Sequence, residues 1–394
     1  MRHLKNSASL RLLFLGIFLS VLGASLSSIG FSLLAAQVQQ SSLLAGVLLA
    51  HLLPSVIFSL PGGHVADKKL RWWWWPVSLL ATALVTTLMA LNLSWPVIIA
   101  GSVFNSSCLA LVGPVAQKLV AAYSEDSARA GSQLATAQGS ATVLGVALGG
   151  LSFAARALQI MLLADAAAAL ILAMIALVVA TPEAIRIEQS DGPKGIFAGL
   201  VMLKSPKVFG SLGLVLIITT VLSTSLDDVA GVFALTHALN LSPYEYGLTS
   251  AAWALGIVLG SFIGRYLQAN PLKKYPWTAL PIGIAIAAVG LFAPGFRTIM
   301  VLFLAGGAGN GCFNAVGNRI ILSSVPKNQQ GRAWSAYRWI IHVLLLVGYL
   351  VGAVFGADYP LELMAWGGSS LVLCALINIL LRAYWARSSA ARSA

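Results

Sequence analysis

A stretch of roughly twenty apolar residues recurs twelve times along this chain, and that recurrence constrains its fold more than any other feature. Crossing the ~30 Å hydrocarbon layer of a bilayer takes about 20 apolar residues in a helix. Such segments lie near 12–36, 42–63, 72–91, 95–115, 134–155, 158–180, 208–236, 246–267, 276–293, 298–320, 334–356 and 361–381. They are too long and too uniformly apolar for barrel strands, so helix is the spanning form the sequence predicts. Only 9% of the 394 residues are charged and 58% are hydrophobic, whereas a soluble domain carries about a quarter charged residues. So few charges cannot cover a water-facing surface. The first apolar run continues past Leu34. That is too long for a signal-peptide core, and it reads as the first membrane helix.

The net charge of +12 would suit a nucleic-acid partner if it formed a patch. Instead the basic residues sit in short clusters between apolar runs, the pattern of loops beside anionic lipid. The even-numbered connections carry Lys68, Lys69, Arg71, Lys118, Arg129, Arg186, Lys194, Lys204, Lys207, Arg265, Lys273, Lys274, Lys327 and Arg332, and the odd-numbered ones only Arg156 and Arg297. This asymmetry predicts that both termini are cytoplasmic, with Trp72 to Trp75 at the cytoplasmic interface. Cys108, Cys312 and Cys374 lie in apolar runs and match no zinc spacing, so they read as packing residues.

The longest hydrophilic stretch, from Thr181 to about Pro206, divides the chain into an N-terminal half (1–181), a central loop (182–206) and a C-terminal half (207–394). Within the loop, Ile196, Phe197, Leu200, Val201 and Leu203 can form one face of a short interfacial helix. Six spans on either side suggest duplication. Gly46, Ser59 and Gly63 reappear 201 residues later as Gly247, Gly260 and Gly264, and Arg129, Gly145 and Gly149 reappear 203 later as Arg332, Gly348 and Gly352. The expected fold is therefore all-α and polytopic: twelve transmembrane helices in two pseudo-symmetric six-helix bundles. Parallel halves of this kind place a substrate site between them in transporters.

The chain resembles the major facilitator superfamily over essentially its whole length. Gly63-His-Val-Ala-Asp67-Lys68-Lys69-Leu70-Arg71 is similar to the family's Gly-x-x-x-Asp-Arg-x-Gly-Arg-Arg loop after helix 2. In helix 5, Gly145-Val-Ala-Leu-Gly149-Gly150 is similar to the antiporter signature Gly-Pro-x-x-Gly-Gly, with Val146 in the proline's place. Lys204-Ser205-Pro206 before helix 7 and Gly331-Arg332 after helix 10 look like the subgroup of enterobactin exporters and macrolide efflux proteins. The resemblance implies a multi-pass protein of the cell inner membrane, monomeric, working by alternating access on a small molecule. It also implies that Gly63, Asp67 and Arg71 gate the cytoplasmic side, and that helices 1, 4, 7 and 10 line the cavity.

Several polar residues lie inside the spans, where they are costly and usually face a cavity or a partner. Asp227 and Asp228 in helix 7 point about 100° apart, so at most one faces a cavity centre. They are the expected proton-coupling pair, unless that stretch is simply wet at the outer mouth. Asp165 in helix 6, flanked by alanines, is expected to hydrogen-bond a neighbouring helix. Trp334, Arg338 and His342 share one face of helix 11, bordered by Tyr337, and would suit an anionic aromatic or carboxylate cargo. Asn310, Asn314 and Asn318 form a stripe on helix 10, with Asn105 at the matching place in helix 4. Each fits either helix-to-helix hydrogen bonds or cavity lining. Ser25, Ser28 and Ser32 of helix 1 would join them, while His51 of helix 2 reads as a packed or hydrogen-bonded histidine. Ladders at Gly256, Gly260 and Gly264 and at Gly348, Gly352 and Gly356 read as close-packing surfaces.

No His-Glu-x-x-His, Gly-x-Ser-x-Gly or phosphate-binding loop occurs, so neither an enzyme nor an ATP-driven pump is expected within this chain. No cofactor or metal is expected. The sequence points to a proton-coupled secondary exporter of a small amphipathic molecule, with a siderophore-like anion favoured. A multidrug or macrolide efflux pump, an uptake symporter and a receptor that no longer transports are the alternatives.

Overall fold

The computed structural model describes residues 2–58, 73–124, 127–153, 158–179, 196–267, 270–326 and 330–393. Among the described residues it holds helices and turns and no strand. The helices are α1 (Arg2–Gln37), α2 (Ser41–Phe58), α3 (Trp74–Leu91), α4 (Trp95–Tyr123), α5 (Ser127–Phe153) and α6 (Leu158–Val179). After the short α7 (Ile196–Lys204) come α8 (Gly210–Phe233), α9 (Pro243–Gly264), α10 (Pro271–Phe292), α11 (Phe296–Ser324), α12 (Gln330–Phe355) and α13 (Pro360–Ser393). A π-helical turn, Ala234–Ala238, extends α8. Every apolar run thus matches one long helix, and α7 falls where the interfacial helix was expected. Among the described residues, ten of the long helices have the length and composition to cross a membrane, and α4 supplies the apolar stretch Trp95–Leu111.

Short connections at turn-forming residues explain why these helices alternate in direction. Gln39, Asn240, Asn270 and Ala293 take left-handed φ angles of 51°, 55°, 53° and 44°, and each sits between two helices. A left-handed residue ends a helix by turning its backbone out of register. Large side chains face outward, with Val178 74% and Leu380 68% exposed, a surface suited to acyl chains and not to water.

The chain divides into two compact units. Unit 1 is Met1–Val38, Leu43–Gly192 and Pro243–Ala251, and unit 2 is Gln39–Ser42, Pro193–Ser242 and Ala252–Ala394. In unit 1, α1 packs on α4, α5 and α6, and α3 on α4 and α6. Leu13, Ile17, Leu119, Leu134 and Leu172 form a core there with Trp75. Trp73 and Trp74 are exposed, but Trp75 is buried. The Trp75 ring packs between helices, so of the three described tryptophans in this run it alone turns inward. In unit 2, α10 packs on α11 and α13, and α8 on α12 and α13. Tyr275 stacks on Phe313 at 4.4 Å between ring centres, and Phe209 stacks on Tyr337 at 5.8 Å.

The two units repeat one packing pattern. In unit 1 a Cβ on Gly145 of α5 would meet Ser25 of α1, and one on Gly149 would meet Ile29. In unit 2 a Cβ on Gly348 of α12 would meet Ser225 of α8, and one on Gly352 would meet Val229. The glycines differ in number by 203 and their partners by 200. Gln39 and Asn240, which share the left-handed turn, lie 201 apart. The duplication expected from glycine spacing is thus present in the packing.

Candidate functional site

Transport chemistry needs polar groups inside the spans, and each unit carries some. In unit 2, Asp227 and Asp228 lie on α8, Asp227 eleven residues before the end of the π turn at Ala238. At 1.5 Å per residue that is about 17 Å from the helix end, near the middle of a ~30 Å span. The two carboxylates diverge as the helix geometry requires. Asp228 accepts a hydrogen bond from the Tyr349 hydroxyl of α12 at 3.0 Å and is otherwise exposed. Oδ1 of Asp227 is buried with no hydrogen-bond partner among the described residues. Nearby, the Ser223 hydroxyl is buried in the same condition. A charged carboxylate in a low-dielectric interior is costly unless paired, hydrated or neutralised. The close approach of α12 to α8 at Gly348 and Gly352 is what brings Tyr349 to Asp228.

On α12, Arg338 is exposed, and Trp334 and His342 are half-buried. Tyr337 turns the other way, into the stack with Phe209, while Trp334 meets its ring edge-on at 5.9 Å. The Nδ1 of His342 is buried without a partner among the described residues. On α11, Asn314 donates to Asn310 Oδ1 at 3.2 Å, so that amide contact runs along the helix and not across to a neighbour. Asn314 and Asn318 are exposed. Gly307 and Gly311 lie seven residues before Asn314 and Asn318, so the glycines share that side of α11. A Cβ on Gly307 or Gly311 would strike the backbone of Trp253 or Ile257 in α9, and one on Gly256 or Gly260 would strike that of Leu304 or Ala308. The ladder at Gly256, Gly260 and Gly264 is a close-packing surface, as expected.

Unit 1 contains a cavity of about 200 Å³ lined by α1, α2, α3, α4 and α6. Asp165 borders it and accepts a 2.9 Å hydrogen bond from Ser27 of α1. Gly23 admits α6 there, since a Cβ would meet the Asp165 backbone. This is the interhelical hydrogen bond expected for Asp165. Asn105 donates to Thr86 of α3 at 2.9 Å and lines the same cavity, as does Ser28. Ser25 does not line it. Its hydroxyl donates to Val21 O at 2.8 Å, and its Cβ lies against α5. His51 borders the cavity, its Nδ1 2.9 Å from Val47 O. Gly63, Asp67 and Arg71, the expected gate, lie outside the described residues.

Sequence reasoning missed Tyr349, Thr86 and Ser102. A tyrosine or hydroxyl in an apolar run carries no signal until its partner is known, and Tyr349 is 121 residues from Asp228. The repeat could have pointed to Tyr349, which follows Gly348 in the recurring glycine pattern.

The sequence profile described as Major Facilitator Superfamily matches residues 13–235 and 216–393. The chain belongs to that superfamily. Solved structures of other superfamily-like transporters share the fold at low identity. A transporter of the POT family bound to a thioalcohol-conjugated peptide matches with a TM-score of 0.76 at 11% identity, over 96% of each chain. The nucleoside transporter NupG matches at 0.72 and 13%, over 93% of this chain and 98% of its own. A bacterial homologue of the iron transporter ferroportin, in an inward-facing state, matches at 0.71 and 16%, over 94% and 98%. No curated protein sequence matches the chain. Membership of the major facilitator superfamily makes this a multi-pass membrane transporter of small molecules, not an enzyme.

Proposed function

We propose that this protein is a proton-coupled secondary exporter of a small amphipathic organic molecule, with both termini in the cytoplasm of a cell whose inner membrane it spans. The observation that carries the reading is the mid-span pair on α8, with Asp228 held by Tyr349 and Asp227 carrying a buried oxygen without a partner. Such a pair can take a proton in one access state and release it in the other. The Tyr349 contact joins α8 to α12, the helices whose glycine-lined contact sets their spacing.

For the cargo, Arg338, His342 and Trp334 on one face of α12 favour an amphipathic anion such as a catechol- or carboxylate-bearing siderophore. A guanidinium is charged at every physiological pH, and an indole beside it offers ring surface. Asn310 and Asn314 supply further polar contacts in this reading, and Gly63, Asp67 and Arg71 close the cytoplasmic side. Cells with and without the protein should differ in one amphipathic anion, depleted from the cytoplasm and enriched in the medium. The Asp227→Asn/Asp228→Asn protein, present at equal level, should abolish that difference. Export of cationic dyes in place of any anion would select the multidrug alternative, and enrichment in the cytoplasm would select uptake.

A further inference from the structure

The cavity inside unit 1 is a chamber, largely apolar with a few polar groups, that the proposed proton pair and cargo face do not explain. Among the described residues its wall bears one carboxylate, Asp165, and no lysine or arginine, and the other titratable side chains there are His51 and Cys108. Two of its polar atoms are buried with no hydrogen-bond partner among the described residues: Ser102 Oγ and Asn105 Oδ1. Ser102 is only 1% exposed. The Asn105 amide nitrogen is already used on Thr86, which leaves its oxygen buried without a partner among the described residues. Asp165 spends Oδ2 on Ser27 and has Oδ1 to offer.

These oxygens lie at one level. Gly30, Gly23 and Gly16 of α1 abut Leu158, Asp165 and Leu172 of α6 in turn, so the two helices are antiparallel. The short turn after Leu91 makes α3 and α4 antiparallel as well, with Gly101 on Met89. Asp165 and Ser102 each lie seven residues into their helices, about 10 Å from that end of the unit, and Asn105 and Ser27 lie about 15 Å from it. We propose that this chamber is a monovalent cation site, with Asp165, Ser102 and Asn105 supplying oxygen ligands and sodium as the fitting ion. A lone carboxylate with neutral oxygens matches one positive charge, and hard cations prefer such donors. The volume of about 200 Å³ leaves room for an ion that keeps several waters. The site is built from α1, α3, α4 and α6 and does not depend on the proton-coupling role of Asp227 and Asp228.

Thermal unfolding of the purified protein tests this, in sodium chloride against choline chloride and methylammonium chloride at equal ionic strength. An ion that binds only the folded state raises the melting temperature in a saturable way. Sodium should give a rise of ~1–3 °C that is absent from Asp165→Asn and reduced in Ser102→Ala, which removes a ligand without touching the α1–α6 contact. The rise should persist in Asp227→Asn/Asp228→Asn, which separates this site from the coupling pair. Absence of any sodium-specific rise in the parent, an undiminished rise in both Asp165→Asn and Ser102→Ala, or a larger rise with methylammonium would overturn the assignment.

Discussion

At the scale of single residues, Asp228 and Tyr349 form the contact most specific to unit 2. Hydrogen bonds between membrane helices contribute about 0.6 kcal/mol on average and up to ~1.7. Tyr349→Phe should therefore lower thermal stability only slightly. It should shift the pH dependence of transport more than Asp228→Ala shifts stability, because the hydroxyl acts on the charge state of its partner. An unaltered pH profile in Tyr349→Phe would leave the contact purely structural. Arg338→Gln should weaken binding of an anionic cargo by roughly 1.5–3 kcal/mol, tenfold or more in affinity, with unchanged protein level. The acidic residues were legible in the sequence because charge stands out in an apolar run. Their fates were not. Asp165 meets Ser27 across 138 residues, and hydroxyls are too common in membrane helices for that pairing to be guessed. Which of the neighbouring tryptophans turns inward, Trp75, was not legible in a run of identical residues.

Helices show how much glycine spacing can say. Gly256, Gly260, Gly307 and Gly311 stand where a Cβ would meet the facing backbone, so α9 and α11 touch through main chain. Backbone cannot rotate out of the way as a side-chain end can. Gly260→Leu should cost on the order of 1–3 kcal/mol or more through overpacking, read as a lower melting temperature and poor recovery from the membrane. Gly210, which takes φ 66° with nothing near its Cβ position, offers no such contact. Its substitution by Ala should cost only backbone strain, about 1 kcal/mol. Ladders at four-residue spacing were visible in the sequence because small residues are easily counted. Which helix each faced was not, since that depends on chain direction and on partners 40 or more residues away. The span expected near 134–155 was legible in the same way, but that its glycines fix it against α1 was not.

For the whole molecule, the all-helical multi-span fold and the repeat were legible, because the bilayer imposes one length and one polarity on every span. The repeat also shows where the halves differ. Ser27 and Ser28 of α1 correspond, 200 residues on, to Asp227 and Asp228 of α8, so the first half carries its carboxylate on α6 and the second on α8. Charge asymmetry predicts that tags at both termini report cytoplasmic and tags near Gln39, Asn240 and Asp358 report the outside. An external C-terminus would break that topology. The cargo was not legible, because binding faces are set by groups from several helices. The central claim, that the α8 pair couples transport to protons, is tested most directly in proteoliposomes loaded with a catecholate siderophore. An imposed pH gradient should drive its movement against its own gradient in the parent. Asp227→Asn/Asp228→Asn should lose that driven movement while keeping exchange down a siderophore gradient. Full gradient-driven transport by the double variant would contradict the account.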